Sequence, residues 1–241
     1  MPPRPDHQTE ARPTSPTPAP TPQRRRTPTT PLTLTLLALP ALLFALITWQ
    51  VKADGPLLTL DARLSHTLIH PDHLSELLSD LGNVQIAVPV LVLVTVYVAL
   101  HGQWDGRRRW WLPPVAALVL LTLVPLIVVP LKEWTARPGT PAVPPATGYY
   151  PSGHTATAAV AYGSAAMILL PWLLTALARR LAVATAGLLV LAVSCGLVRR
   201  GYHWPLDVAA SWCLCTVLLG ALWLFLRATT RPDTRPDPAK P

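Results

Sequence analysis

A chain of 241 residues with 51% hydrophobic and only 13% charged side chains departs from an ordinary soluble domain, in which about 25% of residues are charged. The formal charge of +8 and 29 prolines do not alter that reading, and no nucleic-acid partner is expected. The charges must lie outside the long apolar runs that dominate the chain.

Residues 1–30 combine Pro, Thr and Ser with Arg24, Arg25 and Arg26 and hold almost no large apolar side chains. Such a segment cannot repay the entropy of ordering, so it reads as a disordered tail. The first apolar run, Thr30 to Val51, has the length of a bilayer-spanning helix. A signal peptide is the competing reading, because three arginines precede the run and Val51-Lys52-Ala53 resembles a cleavage site. The apolar core is too long for that and starts too far into the chain.

The segment from Leu57 to Leu78 is amphipathic and predicts a helix lying near the lipid surface. His66, His70 and His73 on it have the spacing of one helical face, but Pro71 interrupts that helix and no carboxylate or cysteine completes an evident ligand set. No metal is expected. Asp80 to Asn83, "DLGN", reads most simply as a cap or turn.

Further apolar runs follow at Val84 to Leu100, Trp111 to Leu131, Thr155 to Leu174, Leu181 to Val198 and Pro205 to Leu226, giving six candidate spans in all. Pro40, Pro89, Pro125 and Pro171 fall within these runs, where neighbouring helices can satisfy the backbone groups they free. Cys195, Cys213 and Cys215 read as small buried apolar residues, with no disulfide suggested. From residue 228 the composition of the N-terminal tail returns. The fold class is therefore an all-α membrane protein: disordered residues 1–30, a six-helix transmembrane domain over 31–227, and a disordered tail over 228–241.

Basic residues orient the bundle. Arg24 to Arg26, Arg107 to Arg109, Arg179 and Arg180, and Arg227 and Arg231 all fall on one side, which is then cytoplasmic together with both termini. The opposite face receives the loops 52–83 and 132–154 and the turn 199–204. It collects Lys132, Arg137, Ser152, Gly153, His154, Arg199, Arg200, His203 and Asp207.

The loop leading to Ser152-Gly153-His154 ends at a helix N-terminus, where unpaired N–H groups favour an anion. Lys132 and Arg137 would add positive charge and donors suited to phosphate oxygens. Asp207 lies in the first turn after Pro205, from which its carboxylate could reach back to His203, fix one tautomer and leave the other nitrogen free to attack. Arg199 and Arg200 fit either phosphate binding or anchoring of a helix end at the headgroups.

The sets Lys132…Arg137-Pro138, Pro151-Ser152-Gly153-His154 and His203-Trp204-Pro205-Leu206-Asp207 resemble the three signature motifs of the type 2 phosphatidate phosphatase superfamily, the membrane lipid phosphate phosphatases. The similarity covers roughly residues 80 to 220. It implies a six-helix fold and metal-independent hydrolysis of a lipid phosphate or diphosphate, undecaprenyl diphosphate or phosphatidate-like, at the outer face of the plasma membrane, with no cofactor. By the same resemblance His203 is the nucleophile that forms a phosphohistidine, Asp207 orients it, and His154 protonates the leaving oxygen. Lys132, Arg137, Ser152 and Gly153 hold the phosphate, with Arg199 and Arg200 as further candidates.

Two positions depart from the family pattern. Gly139 stands seven residues after Lys132, and Leu197 stands six before His203, where the family places arginines. These losses leave open a non-catalytic lipid-phosphate binding or transport protein, or a phosphotransferase, of the same fold. Membrane lipids are the expected surroundings, and the sequence assigns no oligomeric state.

Overall fold

The computed structural model describes residues 30–229, so nearly all of both predicted tails lies outside the described residues; Ala228 and Thr229 continue the last helix. Eight helices follow in order: α1 (Thr30–Lys52), α2 (Leu57–Leu68), α3 (His73–Asp80), α4 (Val84–Trp104), α5 (Leu112–Thr135), α6 (Gly153–Leu169), α7 (Ala176–Arg200) and α8 (Pro205–Thr229). Six of them, α1 and α4 to α8, are long and apolar enough to cross a membrane. Leu39, Leu42, Leu93, Leu126 and Leu188 are each more than half exposed on these spans, as side chains facing acyl chains would be.

Helix α6 is the axis of the bundle and packs on α4, α5, α7 and α8. Its sequence, GHTATAAVAYGSAAMIL, explains this position, since small residues let four neighbours approach closely where lipid supplies no hydrophobic drive for association. More than half of its span is buried, 56% against 22% to 33% for the other five. Ala158, Ala161, Tyr162, Ala165 and Ile168 join Leu91, Val98, Val193 and Leu197 in one buried cluster. Val160 and Ala156 face Leu120, Val124, Val128 and Cys215 in another.

Several boundaries differ from the sequence expectation. The predicted fourth span ends at Leu169, and Pro171 lies in a short 3-10 turn, Leu170–Trp172, because proline cannot continue the backbone ladder. Helix α5 continues to Thr135, so Lys132 sits in its last turn rather than in a loop. Arg199 and Arg200 likewise close α7.

The single amphipathic helix predicted over Leu57 to Leu78 is two helices, broken at residues 69–72 around Pro71. The break puts His66 on α2, His70 between the helices and His73 at the start of α3. Both helices turn small polar residues inward: Asp61 and Ser65 on α2, Ser75 and Ser79 on α3, are buried, while Leu60, Leu64, Leu74 and Leu77 are exposed. Helix α3 lies so close on α7 that a Cβ at Gly196 would stand 2.5 Å from the Ser79 backbone nitrogen and 2.7 Å from the Ser75 carbonyl oxygen.

Candidate active site

The C-terminal ends of α5 and α7 and the N-terminal ends of α6 and α8 open at the same face, beneath α2 and α3. Residues 136–152 cross that face. The segment is pinned by a bridge between Pro138 and Thr147, by the Trp204 indole N–H donating to the Pro138 carbonyl at 3.0 Å, and by the Thr140 hydroxyl donating to the Gly201 carbonyl.

His203 is 6% exposed, and its Nδ1 lies 3.2 Å from Asp207 Oδ2. An ionised carboxylate only accepts, so Nδ1 carries the proton and Nε2 keeps its lone pair. Asp207 is fully buried and saturated: Oδ2 also accepts the Trp204 backbone N–H at 3.2 Å, and Oδ1 accepts from Arg137 Nη1 at 2.5 Å. Tyr149 sets its ring edge-on to the His203 imidazole, with centroids 5.8 Å apart.

Ser152 joins two helices. Its hydroxyl oxygen caps α6 by accepting the Thr155 N–H at 3.3 Å, its own N–H donates to the Asp207 carbonyl at 3.1 Å, and its carbonyl accepts the Ser211 hydroxyl at 2.9 Å. Gly153 opens α6, and the Lys132 side chain runs past it, with Cε 3.9 Å from where a Cβ would stand. Lys132 Nζ donates to the Gly148 carbonyl at 2.8 Å. His154 is exposed at this helix end, with Lys132 and His203 within range of its charge.

Arg137 does not point its guanidinium at an open anion site. It is 5% exposed, and while Nη1 donates to Asp207, Nη2 donates to Asp61 Oδ2 at 2.5 Å. The second oxygen of Asp61 accepts the Leu206 backbone N–H at 2.9 Å, so one carboxylate ties α2 to the start of α8. Burial pushes the Asp61 carboxyl up, opposed by the Arg137 guanidinium and the Leu206 N–H, which hold the charged form. The sequence reading missed Asp61. Its signal was present as a polar stripe, Asp61 and Ser65, on a face opposite leucines.

Arg199 and Arg200 are also engaged elsewhere. Arg199 pairs with Asp72 at 2.7 Å, and Arg200 pairs with Glu76 at 3.4 Å and donates to the Tyr202 hydroxyl at 3.3 Å. Their partners on and before α3 explain why both cations sit on an outer face. The two positions that lack arginine have equally concrete reasons. A Cβ at residue 139 would stand 2.7 Å from the Tyr149 ring, and Leu197 is 1% exposed within the apolar cluster.

Fold and site together define a multi-pass membrane protein whose helix ends gather Lys132, His154, His203 and Asp207 at one face. Residues 113–231 match the model of the PAP2 superfamily, and through that stretch the chain belongs to this superfamily. A crystal structure described as the first transmembrane PAP2-type phosphatidylglycerolphosphate phosphatase from Bacillus subtilis is similar in fold, with a TM-score of 0.64 and 24% identity, covering 84% of this chain and 98% of that one. No curated protein matches the chain. Family and fold together support a phosphatase.

Proposed function

We propose that the chain hydrolyses a lipid phosphate or diphosphate, such as undecaprenyl diphosphate or a phosphatidate-like lipid, at the outer face of the plasma membrane. The observation that carries this reading is the buried His203–Asp207 pair at 3.2 Å, set beside the N-terminus of α6 and the Lys132 side chain. Arg107 to Arg109 precede α5 and Arg179 and Arg180 lie near the start of α7, so the basic clusters fall at the bundle end opposite the site. That supports an extracytoplasmic active site and cytoplasmic termini.

In the first step the lone pair of His203 Nε2 forms a bond to phosphorus while the bond from phosphorus to the leaving oxygen breaks. His154, as imidazolium, gives that oxygen a proton, and the lipid alcohol or shorter phosphate departs. His203 keeps its Nδ1 proton and donates it in a hydrogen bond to Asp207 throughout. In the second step water attacks the phosphohistidine, neutral His154 takes a proton from the water, the P–N bond breaks toward Nε2, and phosphate leaves. Lys132 and the first N–H groups of α6 face the charge that develops on the phosphoryl oxygens. Each task falls to a side chain or to the backbone N–H groups of α6, which supports a reaction without metal or cofactor.

Phosphate release by purified protein from undecaprenyl diphosphate, phosphatidate and phosphatidylglycerol phosphate, in excess chelator, tests the reading. Expected are turnover of at least one lipid, its loss in His203→Ala, and a fall of about 10² to 10⁴ in His154→Ala, the range of a lost general acid. Undiminished activity in His203→Ala would overturn the mechanism. Binding without release would favour a lipid-phosphate carrier, and phosphate appearing on an acceptor alcohol would favour a phosphotransferase.

A further inference from the structure

Asn83 occupies the N-cap of α4, a position where an Asn side chain ordinarily accepts a backbone N–H of the first turn. Here it makes no such bond. Its Oδ1 lies instead 2.8 Å from His154 Nε2, a partner 71 residues away, and its Nδ2 lies 3.0 Å from Asp80 Oδ1. A carboxylate only accepts, so the amide end facing Asp80 is the NH₂ group and the end facing His154 is the carbonyl oxygen. That oxygen accepts, which requires a proton on His154 Nε2.

The loop carrying Asn83 is built onto the start of α6. The Tyr162 hydroxyl donates to the Leu81 carbonyl at 2.6 Å, fixing the loop to α6 itself. Gly82 is buried against the same helix, where a Cβ would meet His154 O at 3.2 Å, His154 Cβ at 3.3 Å and Val193 Cγ1 at 2.6 Å. A larger residue would force Val193 or the His154 contact to give way. The diverted cap, the pinned carbonyl and the close approach at Gly82 all serve one contact.

We infer that Asn83, oriented by Asp80, is a positioning residue for His154: it holds Nε2–H and thereby makes Nδ1 the atom that exchanges the catalytic proton. Nδ1 makes no hydrogen bond to a described residue. When the ring is charged, Nε2–H stays on Asn83 and Nδ1–H is delivered to the leaving oxygen. When it is neutral, the vacant Nδ1 takes the proton from water. The charged or titratable groups facing His154 are Lys132 from α5, His203 from the turn before α8 and Asp80 from α3. The inference rests on the proposed role of His154 as acid and base.

Two measurements separate the inference from the reading beneath it. The first needs no substrate: ¹⁵N NMR of histidine-labelled full-length protein in detergent micelles, with His154→Gln to assign the resonance. The neutral ring is expected as the Nε2–H tautomer; Asn83→Leu is expected to lose that preference, and Asn83→Asp to raise the titration midpoint by about one pH unit, as a carboxylate beside an imidazolium does. An Nδ1–H tautomer in the wild type, or an unmoved midpoint in Asn83→Asp, overturns the inference whether or not the protein is an enzyme. The second is the pH profile of kcat/KM: the alkaline limb moves up by about one unit in Asn83→Asp, while Asn83→Leu loses about 10-fold to 100-fold in kcat with KM little changed. A limb that stays in place while the NMR midpoint moves overturns the catalytic role of the contact.

Discussion

Replacing Asp61 tests the ion network behind His203. Its side chain is fully buried, and both oxygens are used, on Arg137 Nη2 at 2.5 Å and on the Leu206 N–H at 2.9 Å. Asp61→Leu leaves two buried donors without an acceptor, one of them charged. An orphaned buried donor costs about 1–3 kcal/mol, and breaking a buried ion pair about 3–5 kcal/mol. Asp207 still faces Arg137, so the two costs do not add in full, and a loss of about 3 kcal/mol is expected. Asp61→Asn keeps an oxygen for the Leu206 N–H but turns its NH₂ toward Arg137 Nη2, so it loses the charge and one of the two acceptors, for about 2 kcal/mol. Thermal unfolding in detergent should rank the wild type above Asn and Asn above Leu. Turnover should fall at least about tenfold in Asp61→Leu with KM nearly constant, because Asp61 acts on Asp207 and His203 and not on the substrate. Arg137→Lys should behave alike, since a point charge cannot bridge two carboxylates as a planar fork does. Wild-type stability and kcat in Asp61→Leu would refute the network, and a rise in KM alone would show that Arg137 serves the phosphate.

Other outcomes follow from named contacts. Gly196→Ala forces a Cβ into the backbone of α3 at Ser75 and Ser79, and should cost about 1–3 kcal/mol in detergent unfolding, with Val worse; an unchanged melt would contradict the close α3–α7 packing. Arg199→Ala and Arg200→Ala should each keep kcat/KM within about threefold, because exposed pairs of this kind contribute about 0.2–1 kcal/mol; a hundredfold loss would return them to the phosphate. Lys132→Ala should raise KM and lower kcat/KM on every lipid phosphate tested, with partial recovery in Lys132→Arg. The Ser75 N–H and Arg199 hold the Asp72 carboxyl down to about 2, so its contribution is present above pH 4 and disappears as pH falls from about 4 toward 2. Hydrogen exchange across α3, relative to the intrinsic rate, should therefore accelerate as the pH falls through that window in the wild type, but already at neutral pH in Asp72→Ala.

Six spans were legible because charge is nearly absent from each apolar run, and the face that gathers the histidines followed from the order of the runs alone. The N-terminus of α6 was legible from Ser152 and Gly153, since a capping serine before a glycine needs little context. Local patterns could not show the use of the arginines. Arg137 looked like a phosphate ligand because a cation near a motif predicts charge, whereas its two partners come from α2 and α8, 76 positions before it and 70 after it. Asp61 was hidden for the matching reason. On an amphipathic segment a carboxylate reads as solvent-facing, but here the leucines face outward and the polar stripe faces the bundle, as a membrane surface permits. Asn83 read as a cap from its position, and only the distance to His154 shows that the cap is unmade.

On the proposed reading, the arginine bound between Asp61 and Asp207 bears on the end of the catalytic cycle. With its charge already matched, the positive field offered to a phosphate would come from Lys132 and the first turn of α6. A lipid phosphatase that must empty its site before the next substrate arrives would benefit from a loosely held product. Inorganic phosphate should therefore be a weak competitor, and the affinity for substrate should come chiefly from the chain that remains in the bilayer.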